Sequence, residues 1–159
     1  MKHPLLKTLL LAAIFFVQSV VGYASDAEKI MQDIINKYEN TDGVDCLTLV
    51  KGQGLDLMKM MLRSELGKSF TKGINCITLI DYTKASEETC EALHQDLDAF
   101  LSILQEYNVN EEEEFSKKKY MRSFSSTPSD DNILTDFVMA IEEEGSKMIM
   151  HMTGAMKIK

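Results

Sequence analysis

The hydrophobic and polar positions change period several times along this chain, and each change marks an element. Ser25-Asp26-Ala27-Glu28 has the form of a helix-opening box, in which the Ser hydroxyl and the Glu carboxylate satisfy unpaired backbone N–H groups. Behind it Ile30, Met31, Ile34, Ile35 and Tyr38 recur at helical spacing, and Asn40 to Gly43 ends the run, so the pattern predicts a helix over about 26 to 39. Gly43-Val44-Asp45-Cys46-Leu47-Thr48-Leu49-Val50 then reads as a largely buried strand, apolar, rich in β-branched residues and opened by glycine.

That octapeptide returns thirty positions later as Gly73-Ile74-Asn75-Cys76-Ile77-Thr78-Leu79-Ile80, with Gly, Cys, Thr and one Leu unchanged. Between the copies lies a helical pattern, with Leu55, Met58, Met61, Leu62 and Leu66 near one face. Strand, helix and similar strand make a βαβ unit, so the expectation is two parallel strands with a right-handed crossover. Two copies fall short of a solenoid and read as local pseudo-symmetry within one sheet. Ser86 with Glu87 and Glu88 opens a third helix, because a hydroxyl cap and early carboxylates complement the helix dipole. Cys90, Leu93, Leu97, Phe100, Leu101 and Leu104 form its inner face, ending near Tyr107-Asn108. A charged connector at 110–119, a short strand at 119–124 and a Ser/Thr/Pro/Asp loop at 125–132 follow. Last come apolar strands at 133–141 and 147–153, joined by Glu142-Glu143-Glu144-Gly145-Ser146 as a hairpin. The order αβαβαβββ predicts an α+β domain with a mixed sheet, helices mainly on one face and a C-terminal β-hairpin.

The first 24 residues carry a different pattern. Lys2 and Lys7 give a positive start, Leu9 to Val21 form an apolar stretch interrupted by Gln18 and Ser19, and Gly22-Tyr23-Ala24 supplies small residues at both signal-peptidase positions. The run falls short of the roughly 20 apolar residues needed to cross a bilayer. A signal cleaved after Ala24 is expected, leaving one domain over 25–159, exported to a periplasmic or extracellular setting, with no stable membrane span. Removing Lys2 and Lys7 from the 17 basic residues leaves 15 against 25 acidic ones, so the exported part carries a net charge of −10. That acidity argues against nucleic-acid partners, which are held through phosphates by Lys and Arg.

Candidate chemistry is sparse. Cys46 and Cys76 hold matching repeat positions, and equal register on adjacent parallel strands would bring them together on one face. Cys90 faces the sheet by its spacing with Leu93 and Leu97. An oxidising compartment allows one disulfide among Cys46, Cys76 and Cys90, while the plainer reading is three buried thiols acting as small hydrophobes. Met148, Met150 and Met152 share one face of the last strand and are weak candidates for soft-metal ligation of Cu(I); core filling is the competing role. His151, between them, points to the other face. His94 reads as a solvent-side or edge residue of the third helix. Gly52-Gln53-Gly54 is a strand-to-helix turn, and Asp56 just beyond it would repel phosphate. Glu111 to Glu114 with Lys117 to Lys119 lacks the alternation and central Gly of a calcium loop and reads as a solvated connector. No phosphate loop, nucleophile elbow or zinc-protease helix is present, so neither catalytic residues nor a cofactor are assigned.

The signal, the first helix, the Gly-Val-Asp-Cys-Leu-Thr-Leu-Val strand and the closing Phe137-Val138-Met139-Ala140-Ile141-Glu142-Glu143-Glu144-Gly145-Ser146-Lys147-Met148-Ile149-Met150-His151-Met152-Thr153-Gly154 hairpin together resemble domain of unknown function 4252. This family consists of small exported bacterial proteins. The similarity spans about 26 to 158. It implies an envelope or secreted location in Gram-negative bacteria and brings no catalytic residues; the family needs only apolar side chains where Met148, Met150 and Met152 stand. The expectation is a non-enzymatic exported domain that binds a protein or other envelope component. Its rivals are a thiol- or metal-handling protein and a hydrolase whose catalytic residues are scattered in sequence.

Overall fold

The computed structural model describes residues 25–107 and 121–159, so the expected signal peptide and the charged connector at 110–119, including Glu111 to Glu114 and Lys117 to Lys119, lie outside the described residues. The elements in chain order are α1 (Asp26–Tyr38), β1 (Asp45–Leu49), α2 (Gln53–Leu66), α3 (Lys68–Lys72), β2 (Ile74–Asp81), α4 (Glu87–Leu101), β3 (Gln105–Glu106), β4 (Met121–Ser125), β5 (Ile133–Glu143) and β6 (Ser146–Lys157). The six strands form one sheet in the order β1-β2-β6-β5-β4-β3. The α+β class and the C-terminal hairpin are as the sequence predicts. β5 and β6 run longer than expected and pair from Ile133↔Lys157 to Glu143↔Ser146 about a turn in which Gly145 takes a φ of 87°.

The predicted parallel βαβ unit is overturned. β1 pairs with β2 antiparallel, as do all the other neighbours in the sheet, so it is an antiparallel sheet and the expected mixed sheet is corrected with it. The reason lies in the connection. An unbroken helix would carry the chain to the far end of the sheet, but Gly67, at φ 83°, splits the helical stretch into α2 and the short α3. The corner returns the chain to the end of the sheet where β1 finished. Leu101 likewise ends α4 earlier than expected, and Gln105–Glu106 instead pairs with β4 as the edge strand β3.

Side chains alternate across the sheet, and each face has its own core. Ile80, Val138, Ile149 and Phe124 point to the side covered by α1 and α4, which contribute Met31, Ile34, Ile35, Leu93, Leu97 and Phe100. The opposite side carries Ile77, Phe137, Met139 and Met152, and is roofed at one end by Leu55 of α2 and Phe70 of α3. The helices thus lie mainly on one face, with a corner pair on the other. α1 is started by Ser25, whose Oγ accepts from the Glu28 N–H at 3.0 Å, and α4 by Ser86, which accepts from the Thr89 N–H at 3.2 Å. Where β2 begins, the Gly73 carbonyl accepts from the Ala155 N–H at 2.9 Å, and a Cβ on either Gly73 or Gly154 would run into the other strand's backbone. Glycine at both positions lets β6 approach that closely.

Candidate functional site

Antiparallel pairing decides where the cysteines go. Thr48 faces Thr78, so the repeat meets itself only at that position, with Cys46 opposite Ile80 and Cys76 opposite Thr153. Cys46 and Cys76 therefore share a face but lie four residues apart along the sheet, about 14 Å at 3.4 Å per residue. The juxtaposition expected from parallel register does not occur, and a disulfide needs Cα atoms within about 7 Å. All three cysteines are free thiols. Burial raises the pKa of both Cys46 and Cys76. Cys90 is buried in the α4 layer, its Sγ directed at the carbonyls of Tyr82 and Ala85 with Lys147 Nζ 3.8 Å away.

Met148, Met150 and Met152 do share a face, opposite Ile141, Met139 and Phe137 of β5. Met152 is fully buried in the second core and Met150 packs against it. His151 points to the other face, where its ring meets Phe100 edge-on at 5.2 Å and its Nε2 donates to Asp136 Oδ1 at 2.9 Å. Among the described residues no three His, Cys, Asp or Glu side chains gather as metal ligands.

Asp136 is the residue that sequence reading missed. It is 2% exposed and accepts from His151, from the Ser25 hydroxyl at 2.8 Å and from the Thr135 hydroxyl at 2.7 Å. Desolvation pushes its pKa up, but the hydrogen bonds from His151, Thr135 and Ser25 outweigh it, and the net pKa is lowered. The only sequence signal was an acidic residue interrupting an otherwise apolar strand. Ser, His and Asp are the residue types of a hydrolase triad, but the connectivity differs: the carboxylate sits between the other two. The imidazole nitrogen that would take a proton from the serine is already donating to Asp136. This arrangement ties the start of α1 to the sheet.

A second polar cluster lies at the hairpin end. His94 Nε2 pairs with Glu142, and the Tyr82 hydroxyl lies 3.3 Å from both His94 Nε2 and Glu142 Oε1. Burial, reinforced by the Glu142 carboxylate, raises the Tyr82 pKa strongly. The Cys90 thiol is turned to backbone carbonyls nearby and does not join this cluster as a nucleophile poised on a base. Between α1 and α4 a shallow groove of about 180 Å³ is lined by Ile30, Asp33, Ile34, Lys37, Asp96 and Ala99. It is smaller than the roughly 300–1,000 Å³ of small-molecule sites. Lys37 Nζ closes one side on Asp96 at 2.6 Å.

The most unusual surface is apolar. Of the six large hydrophobic side chains exposed among the described residues, five fall between positions 47 and 61: Leu47 at 47%, Val50 at 58%, Leu57 at 55%, Met60 at 64% and Met61 at 63%. β1 is an edge strand, so its outer backbone groups are unpaired by the sheet. Leu55, Met58, Leu62 and Leu66 turn inward from α2, while Met61, expected on that face, lies with Leu57 and Met60 on the opposite side. A helix that is apolar on two opposed sides ordinarily has both covered. No family model, curated protein or solved structure matches this chain.

Proposed function

We propose that this protein is an exported, non-enzymatic α+β domain that binds a protein partner or other component of the cell envelope through the surface formed by β1 and α2. The observation that carries the reading is the concentration of exposed Leu47, Val50, Leu57, Met60 and Met61 in one short stretch. Exposed apolar clusters of this kind mark interaction sites, and flexible thioethers suit an adaptable contact. The leader-like pattern of the first 24 residues supports the envelope location. Among the described residues no helix is long and apolar enough to cross a membrane.

The rival thiol- or metal-handling role has less to stand on. Cys46 and Cys76 are separated by register, Cys90 is buried in the α4 layer, and Met152 is buried in the second core, where Met150 packs against it as apolar filling.

The test is a photo-crosslinking residue placed at Met61 and, as a control, at Glu91 on the exposed side of α4, in cells exporting the protein. Adducts at Met61 and not at Glu91 are expected. Absence of adducts at Met61 refutes the surface, and turnover in a hydrolase or oxidoreductase panel that one point substitution abolishes refutes the non-enzymatic reading.

A further inference from the structure

We infer that the partner seated on the outer side of α2 is a second copy of this chain, packed antiparallel about a two-fold axis near residues 59 and 60. The inference rests on the proposed role of the β1–α2 surface and names its occupant. It follows from how charge is arranged around the apolar stripe. Leu57, Met60 and Met61 are related by three and four residues and form one exposed strip. Asp56 and Arg63 are seven residues apart, nearly two full turns, so they lie on one flank of that strip. Both are exposed, and neither makes an ion pair or side-chain hydrogen bond among the described residues.

A two-fold axis perpendicular to the helix and lying in the interface brings the same flank of the two copies together, in opposite directions. Asp56 and Arg63 are each three and a half residues from the midpoint, about 5 Å along the axis at 1.5 Å per residue. Antiparallel docking therefore sets Asp56 of each copy level with Arg63 of the other, twice, while the Leu57-Met60-Met61 strip meets itself. Glu65, on the other flank, falls level with Gly54 of the second copy and meets no like charge. Lys59 takes no part, because its Nζ is held by the Lys72 and Ile74 carbonyls.

Net charge favours this element as well. Asp56 and Glu65 balance Lys59 and Arg63, so α2 is neutral within a strongly acidic chain, and two copies can approach along it with least repulsion. A foreign partner would give no reason for opposite charges to stand symmetrically about the centre of the strip. Self-pairing does.

Sedimentation velocity of the exported chain over a wide concentration range tests this directly. A reversible dimer is expected, with Met60→Glu/Met61→Glu shifting it to monomer. Asp56→Arg alone and Arg63→Asp alone each set like charges face to face twice, and each is expected to weaken the dimer about tenfold, a loss of about 1.4 kcal/mol. The double variant Asp56→Arg/Arg63→Asp is expected to restore it. These two positions are exposed, so the charge swap reads the interface even if the methionine variant fails to fold. A wild-type monomer at every concentration, single swaps without effect, or a double swap that fails to restore the dimer would each overturn the inference. The Met61 crosslink separates this from the broader reading. An adduct of twice the chain's mass supports the second copy; an adduct to a different protein overturns self-pairing and leaves the interaction surface standing; no adduct removes both.

Discussion

Replacing Asp136 is the sharpest test of how this domain is held together. The Asp136→Ala variant removes the common acceptor of Ser25, Thr135 and His151 at once. His151 is 2% exposed, so its Nε2–H would be left in a place water does not readily reach. A buried donor without a partner costs about 1–3 kcal/mol, and each hydrogen bond to a charged group such as the Asp136 carboxylate contributes about 1.5–3 kcal/mol. We expect a loss of about 3–5 kcal/mol, a large part of the roughly 5–15 kcal/mol that holds a domain together. With a urea slope near 2 kcal/mol/M, the midpoint should fall by about 2 M at unchanged slope. Asp136→Asn keeps a carbonyl acceptor and should lose about half as much.

The pH dependence carries a sign that can be checked. Because the folded-state pKa of Asp136 lies below its ordinary value of 3.8, the carboxylate's contribution is complete above that value. It is lost as pH falls through the lower folded-state pKa. The wild-type urea midpoint should therefore drop more steeply below pH 4 than that of Asp136→Ala. A loss under 1 kcal/mol at neutral pH, or parallel acid profiles for the two proteins, would refute the account of Asp136 as the joint between α1 and the sheet.

Three other outcomes follow from the geometry. Titrating the denatured, unreduced protein with a thiol reagent should count three thiols, since register separates Cys46 from Cys76; a count of one would mean a disulfide. Gly154→Ala should destabilise by about 1–3 kcal/mol, read as a lower melting temperature, because the new Cβ meets the Gly73 carbonyl at a backbone φ of 151° that L-residues rarely adopt. Met152→Ala should lose about 2–5 kcal/mol in urea denaturation as a core truncation, and Cu(I) titration of the wild type should show no stoichiometric binding; tight binding at one equivalent would restore the soft-metal role of Met148, Met150 and Met152.

The elements themselves were legible because each depends on near neighbours. Helix faces at Ile30 to Tyr38 and Cys90 to Phe100 follow from three- and four-residue spacing, the serine caps from a hydroxyl one residue ahead, and the hairpin from a glycine at its turn. The opposite orientations of Met150 and His151 followed from alternation alone. The direction of β2 depended on something the hydrophobic pattern does not encode: whether α2 continues past Gly67 or turns there. That single corner converts matching cysteine positions into distant ones, because antiparallel strands superimpose a repeat only at its pivot, here Thr48 and Thr78. The Asp136 site was likewise invisible, since Ser25 and Asp136 are 111 positions apart and only the folded sheet brings them to 2.8 Å. The apolar residues of α2 looked like ordinary core in one dimension. Packing settled which of them are covered, burying Leu55 while leaving Leu57, Met60 and Met61 in solvent, because one side of a helix can meet a sheet and the other cannot.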